Sequence, residues 1–158
     1  MGIELTYKPD RELEEDVKTM IMEETARLAA SESWWAEPLL FLETPSLGFL
    51  GMTKVFLHSY STDNGYVEVK RADNFLMAWQ DCQTIANILA AWSKRFGVGW
   101  QLSLDGELMG VIDHSGTLST KLQSKLDELR HLSDFTETGD ALERLIHQID
   151  MKYASRCE

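Results

Sequence analysis

An Asp-Gly dipeptide at positions 105–106 separates two segments in which apolar and polar residues alternate. Asp-Gly favours the type I′ turn, which joins two antiparallel strands through a loop of only two residues. Such a turn would pair Leu102 with Met109 and Trp100 with Val111, so that apolar side chains meet across the two strands. The dipeptide therefore predicts a β-hairpin, and with it an antiparallel sheet.

Two other parts of the chain have strand patterns. Residues 52–60 and 66–70 are rich in Val, Phe, Tyr and Thr, and the Asp-Asn-Gly sequence at 63–65 tolerates positive φ angles. This arrangement predicts a second hairpin. Apolar residues also alternate with polar ones over positions 3–7, which predicts a short N-terminal strand.

The chain between residues 31 and 52 is harder to interpret. The apolar stretch 34–42 fits a buried strand and a buried helical turn equally well. Gly48 and Gly51 follow it three residues apart, too few for a phosphate-binding loop, so residues 47–52 are interpreted as a turn.

Apolar residues recur at intervals of three and four over residues 10–30, 73–95, 118–131 and 142–153. This spacing gives a helix one apolar face. The pattern as a whole predicts a single α+β domain over residues 1–158. Its antiparallel sheet would contain about five strands, built from two hairpins and the N-terminal strand, with about four helices packed mainly on one face.

The charge of the chain restricts its partners. Fifteen Lys and Arg residues stand against 26 Asp and Glu residues, a formal net charge of -11. A protein this acidic repels the phosphate backbone, so nucleic acid is not expected as a partner. Solubility is one explanation of the charge, and an acidic face that meets a basic protein is another.

Cysteine usage and hydropathy indicate a cytoplasmic protein. Cys82 and Cys157 are too few and too widely spaced for a disulfide framework or a zinc site. No apolar run approaches the roughly 20 residues that cross a bilayer, and no signal peptide is recognised. We expect no membrane partner, no metal and no cofactor, and either a monomer or a homodimer.

The residues that could carry chemistry do not form a recognised catalytic motif. Asp113, His114 and Ser115 are residue types used in acyl transfer, but neighbours in sequence cannot take up the geometry of a catalytic triad. They are interpreted as a strand end and turn. Cys82 lies on the apolar face of a helix pattern and is interpreted as a core residue, so no catalytic residue is predicted.

Tryptophan is the most unusual component, with five in the chain. If Trp34 and Trp35 lie in a strand, they face opposite sides, so one of them would be exposed where it could form a binding hot spot. The full set of candidate binding residues combines aromatic side chains with nearby titratable ones: Trp34, Trp35, His58, Tyr60, Trp79, Asp81, Trp100 and Glu107.

Three functions fit these observations. The first is a non-catalytic acidic interaction module, such as an inhibitor, adaptor or immunity-type protein, which masks a basic partner. The second is a small-molecule binding domain, in which a sheet face with Tyr60, Trp100 and Met109 closes on a helix that carries Trp79. The third is an enzyme with a dispersed site, in which His58, Asp81 and Glu107 are the candidates. The first requires the fewest assumptions.

Overall fold

The computed structural model describes residues 2–32, 34, 37–57 and 66–135, and it has an α+β fold with a five-stranded antiparallel sheet. The elements in chain order are β1 (Gly2–Pro9), α1 (Glu15–Ser31), β2 (Phe41–Thr44), β3 (Gly48–Leu57), α2 (Tyr66–Phe96), β4 (Trp100–Leu104), β5 (Glu107–Ile112) and α3 (Thr120–Phe135).

The predicted N-terminal strand is present, and it forms the centre of the sheet. The strand order is β2-β3-β1-β4-β5. β1 pairs antiparallel with β3 on one side and with β4 on the other. Leu5 and Tyr7 point to one face and are fully buried at 0% exposure, as their alternation with polar residues requires.

The hairpin at Asp105 and Gly106 is present, but the predicted register is wrong beyond its first pairs. Both turn residues have positive φ angles, 51° and 86°, as a type I′ turn requires. A bulge between Leu102 and Ser103 then shifts the pairing, so that Leu102 lies opposite Gly110 and not Met109. A bulge adds a residue to one strand and reverses the alternation beyond it, which a regular pattern does not reveal.

The other predicted hairpin is wrong. Residues 66–70 begin α2 and form no strand, and the predicted turn at 63–65 lies outside the described residues. β3 pairs instead with β2, across a turn that ends at Gly48 with a φ of 73°. Residues 47–52 were interpreted as a turn, but β3 begins at Gly48, so this segment is mostly strand. The β-branched residues at 66–70 are overridden by the long helix that continues from them.

Three of the predicted helices correspond to α1, α2 and α3, and the predicted helix 142–153 lies outside the described residues. The described part thus contains three helices where about four were predicted for the whole chain. α1 begins at Glu15, later than predicted, because the preceding chain continues from the sheet: the Asp10 N–H donates to the Gly99 carbonyl at 2.9 Å.

The main core lies between the helices and one face of the sheet. Its centre is aromatic: the Phe41 ring lies 5.2 Å from Tyr7, 5.0 Å from Phe49, 5.9 Å from Trp92 and 5.7 Å from Trp100, between centroids. Aliphatic side chains from all three helices complete the cluster, among them Ile21, Ile85, Leu89, Leu122 and Leu126.

Candidate functional site

The candidate binding residues fall in different environments. Trp100 and Asp81 are buried, each 1% exposed, on β4 and α2. Trp34 and Trp79 are half-buried, and Glu107 is exposed at the start of β5. The remaining three, Trp35, His58 and Tyr60, lie outside the residues whose side chains the structure describes.

Trp34 packs against the main core and hydrogen-bonds to α1. Its indole Nε1 donates to the Leu28 carbonyl at 3.3 Å, and its ring packs against the core cluster. This bond ties the chain after α1 back onto the last turns of that helix. The Trp34 side chain is half-buried. Its position therefore does not test the prediction that one of Trp34 and Trp35 points inward and the other outward.

The sheet face predicted to line a small-molecule pocket is packed with side chains. Trp100 and Met109 are each 1% exposed and belong to the main core. The Trp100 ring contacts Phe41 and Trp92, with the Trp92 centroid 6.5 Å away. These two residues therefore pack in the interior. Neither lines the groove between α1 and the β2–β3 hairpin, which is described below.

Cys82 is a core residue, as predicted. It is 1% exposed, and burial raises the pKa of its thiol to about 12, with the nearby Asp81 charge adding to the increase. A thiol with so high a pKa carries almost no thiolate at neutral pH, and thiolate is the nucleophilic form. Cys82 is therefore inert in the folded protein.

Residues 113–116 form a loop directly after β5, which confirms their interpretation as a strand end and turn. β5 ends at Ile112, and one oxygen of Asp113 accepts hydrogen bonds from the Ser115 N–H, the Ser115 hydroxyl and the Thr117 N–H, at 2.7–2.9 Å. The Ser115 and Thr117 bonds hold the pKa of Asp113 below its ordinary value. Because the Ser115 hydroxyl donates to Asp113, this hydroxyl stabilises the loop.

His114 pairs with a residue that its own sequence neighbourhood does not contain. Its Nε2 lies 2.7 Å from an oxygen of Asp10, and the other Asp10 oxygen accepts the Gly99 N–H at 3.2 Å. Partial burial raises the pKa of Asp10, but the hydrogen bonds from His114 and Gly99 outweigh it, so the pKa lies below its ordinary value. The pair fastens the end of β1 to the loop after β5.

A groove of about 490 Å³ lies between α1 and the β2–β3 hairpin. One wall is the α1 face that carries Glu15, Met22 and Glu23, and the hairpin side contributes Glu43 and Phe49. Met22 is 44% exposed and presents apolar surface to the groove. The groove thus combines an apolar floor with an acidic rim.

Among the described residues that line this groove, the one cation is Lys18, and two carboxylates neutralise it. Lys18 Nζ lies 2.5 Å from Glu43 and 3.3 Å from Glu15. Its hydrogen bond to Glu43, followed by that to Glu15, raises the pKa of Lys18 above its ordinary value. With one Lys against Glu15, Glu23 and Glu43, the groove keeps an excess of negative charge.

The groove continues into a smaller concavity of about 240 Å³ toward the tip of the hairpin. The two share Lys18, Glu43 and Phe49. Leu47, which is 52% exposed, lies at this end, and the charges of Lys8 and Arg11 make it less acidic than the wider part. The groove therefore has an acidic end along α1 and a mixed end at the hairpin tip.

Beside the groove, β2 is an edge strand of the described sheet. The Met52 N–H donates to the Leu40 carbonyl at 3.0 Å, and Leu42 lies opposite Leu50. In an antiparallel pair, residues that bond to the partner alternate with residues that do not. The backbone N–H and C=O groups of Phe41 and Glu43 consequently point away from β3, toward the outer edge of the sheet.

This groove was not predicted from the sequence, although some of its signals are present there. Pro45 and Gly48 are turn residues that bracket the hairpin tip, and Met22 is apolar at a position that falls outside the main stripe of α1. What local pattern does not indicate is that α1 lies beside β2, because that neighbourhood depends on the order of strands in the sheet.

Among the described residues, no group of three or more His, Cys, Asp or Glu side chains is arranged to hold a metal ion. The described helices also include none with the length and apolar character needed to cross a membrane. Comparison of the chain with protein-family models, with curated proteins and with solved structures gave no match.

Proposed function

We propose that this protein is a non-catalytic interaction module whose acidic surface binds a basic protein. The observation that carries the proposal is the groove between α1 and the β2–β3 hairpin, where Glu15, Glu23 and Glu43 lie with the exposed Met22 and the half-buried Phe49. Protein interfaces combine an apolar centre with a polar rim, and complementary charge speeds association and selects the partner.

The distribution of charge supports this location for the surface. Residues 10–32, which include α1, carry eight acidic and three basic side chains. The rest of the chain has 18 acidic and 12 basic side chains in 135 residues, so residues 10–32 carry more net negative charge per residue than the rest of the chain taken together. This excess of negative charge would attract a basic protein to α1 and the groove beside it.

The proposal includes a cytoplasmic location and a partner that is neither nucleic acid nor membrane. Two cysteines, too few and too widely spaced in sequence for a disulfide framework, fit a compartment in which thiols stay reduced. The net charge of -11 disfavours phosphate surfaces of either kind.

Affinity capture from a lysate of the source cell tests the proposal. Basic proteins should bind the immobilised full chain at about 50 mM salt and elute at about 0.5 M, where the Debye length falls to a few ångströms. The Glu15→Lys/Glu23→Lys variant should lose them. Asp127→Lys/Glu128→Lys, on exposed positions of α3, makes the same change in net charge elsewhere and should keep them.

Two outcomes would contradict the proposal. Equal capture by the α1 and α3 variants would mean that the groove is not the binding surface. An empty column with the unsubstituted protein at low salt would mean that no basic partner is recognised.

A further inference from the structure

We propose that β2 binds an extended segment of the basic partner as a sixth strand, with cationic side chains of that segment pairing with the groove's carboxylates. This inference rests on the proposed function, and it specifies the binding mode. It starts from the position of β2 at the edge of the described sheet. An edge strand offers a row of backbone groups, and the addition of a partner strand is a recurrent way of recognising peptides.

The hydrogen-bonding register determines which groups would receive the segment. The N–H and C=O of Phe41 and Glu43 point outward, because Leu40 and Leu42 occupy the positions that face β3. If the segment runs antiparallel to β2, as every strand pair of the described sheet does, the residue directly opposite Glu43 exchanges two backbone hydrogen bonds with it. Its side chain would then lie on the same face as the Glu43 side chain, the face that lines the groove.

Charge determines what that side chain should be. Glu43 lines the acidic part of the groove with Glu15 and Glu23, where Lys18 is the opposing charge among the described residues. It also lines the mixed end, where Lys8 and Arg11 lie with Glu12. Over the two parts of the groove, four carboxylates stand against three cations among the described residues, so a Lys or Arg opposite Glu43 would still meet an excess of negative charge. An acidic or uncharged residue there would gain no such attraction, and the acidic one would be repelled.

On the opposite face of the sheet, β2 favours a different type of side chain in the bound segment. Leu40 and Leu42 lie on the opposite side of the sheet from Glu43, and Leu40 is 52% exposed. The segment residue opposite Leu42 flanks the cationic one, and the residue opposite Leu40 lies two positions further along the segment; both should be apolar. The surface therefore fits an extended segment in which basic and apolar residues alternate.

A seven-residue peptide of alternating Lys and Val, acetylated and amidated at its ends, serves as the probe. Isothermal titration against the full chain should show binding that weakens as salt is raised. In the proposed register, the backbone N–H groups of the lysines face β2. Methylating those nitrogens should weaken binding about tenfold or more, whereas methylating the valine nitrogens should leave it within about twofold.

The matched protein variants are Glu43→Pro and Glu43→Ala. Both remove the carboxylate, but only proline also removes the outward N–H, and proline is tolerated at an edge position whose N–H does not face a partner strand. Glu43→Pro should therefore bind the peptide about tenfold or more weakly than Glu43→Ala. Denaturant unfolding of both variants checks that they fold equally well, and the methylated peptides provide the same test without any change to the protein.

The outcomes separate this inference from the proposed function. Equal binding of the two methylated peptides, or no peptide binding at all, would overturn strand addition. If lysate capture then remained salt-sensitive and was lost in Glu15→Lys/Glu23→Lys, the acidic interaction surface would stand without strand addition. If that capture also failed, both proposals would be wrong.

Discussion

The aromatic ring of Tyr7 lies directly against the backbone of Gly51, so close that a β-carbon at position 51 would overlap the ring. The two residues are partners across β1 and β3. With the ring in this position, the Tyr7 hydroxyl reaches Thr53 Oγ1 at 2.7 Å and both accepts from the Leu40 N–H and donates to its carbonyl, at 3.0 Å each. The absence of a side chain at Gly51 therefore positions the chain that leads into β2.

Replacing Gly51 with alanine should lower the free energy of unfolding by about 3 kcal/mol or more, because the new methyl group would displace a fully buried ring. Gly48→Ala is the control, since a β-carbon there meets nothing within 4 Å and only its φ of 73° opposes the change. That cost should be about 1–2 kcal/mol. Denaturant midpoints at constant m-value measure both, and equal losses would contradict the proposed clash.

The Tyr7 hydroxyl should make the protein less stable in alkaline solution. Burial raises the pKa of Tyr7 well above its ordinary value of 10.0, while its hydrogen bonds to Thr53 and Leu40 oppose the increase only in part. The folded state thus favours the neutral phenol. This contribution is complete below pH 10, and above it the free energy of unfolding should fall by about 1.4 kcal/mol per pH unit from this group.

Tyr7→Phe is the control for that pH dependence. It should lower stability at pH 7 by about 1–3 kcal/mol, because the Leu40 N–H and the Thr53 hydroxyl lose a buried partner. It should also remove this group's share of the loss above pH 10. An unchanged alkaline slope would show that Tyr7 ionises as easily in the folded protein as in the unfolded chain.

Cys82 should be protected from thiol reagents while the protein is folded. With a pKa raised to about 12 by burial, only about one thiol in 10⁴ is ionised at pH 8, and the side chain is 1% exposed. A Cys157→Ser variant leaves Cys82 as the single thiol. Its reaction with a disulfide reagent should be undetectable without denaturant and rapid in it, whereas a rapid native reaction would rule out the buried position.

Glu24 joins α1 to the end of α2, and its loss should be destabilising. Its carboxylate accepts from Trp92 Nε1 at 3.2 Å and from Arg95 at 2.8 Å. The Trp92 ring is 3% exposed, so Glu24→Ala would leave a buried donor without this acceptor, at a cost of about 1–3 kcal/mol. Glu23→Ala, at the exposed neighbouring position, should change stability by less than about 0.5 kcal/mol.

The pH dependence of this contact has the opposite sign to that of Tyr7. The hydrogen bonds from Arg95 and then Trp92 hold the pKa of Glu24 below its ordinary value of 4.5. The stabilisation is therefore present above pH 4.5 and is lost as the pH falls through the folded-state pKa. The difference in unfolding free energy between Glu24→Ala and the unsubstituted protein should shrink in acid. A constant difference from pH 7 to pH 3 would contradict this account.

Local pattern was sufficient to predict where several elements lie in the chain, but not how they pair. The Asp105-Gly106 turn and the positions of β1, α1 and α3 could be predicted, because turn chemistry and apolar periodicity act over a few residues. The pairing of β3 with β1 and β2 could not. Residues 66–70 also show that β propensity is a weak guide where a long helix extends through it.

The candidate site was predicted less well than the fold. Trp100 and Asp81 were chosen as unusual residues, and both are buried. The groove is instead formed by residues that are ordinary in sequence, such as Glu15 and Met22. Their significance arises from the approach of α1 to an edge strand, which is a tertiary relationship. The acidic character of the surface was the one property of the site that composition already indicated.

The central place of β1 has a consequence for how the chain is made. β1 precedes both of its neighbours in the sheet, and its pairs reach as far along the chain as Leu57 on one side and Leu104 on the other. During synthesis the first strand must wait, unpaired, until β3 has left the ribosome, and longer still for β4. Such long-range pairing slows folding and leaves apolar strands exposed in the meantime. We therefore expect nascent chains that end before β4 to depend on chaperones, and full-length chains to complete the sheet in a single late step.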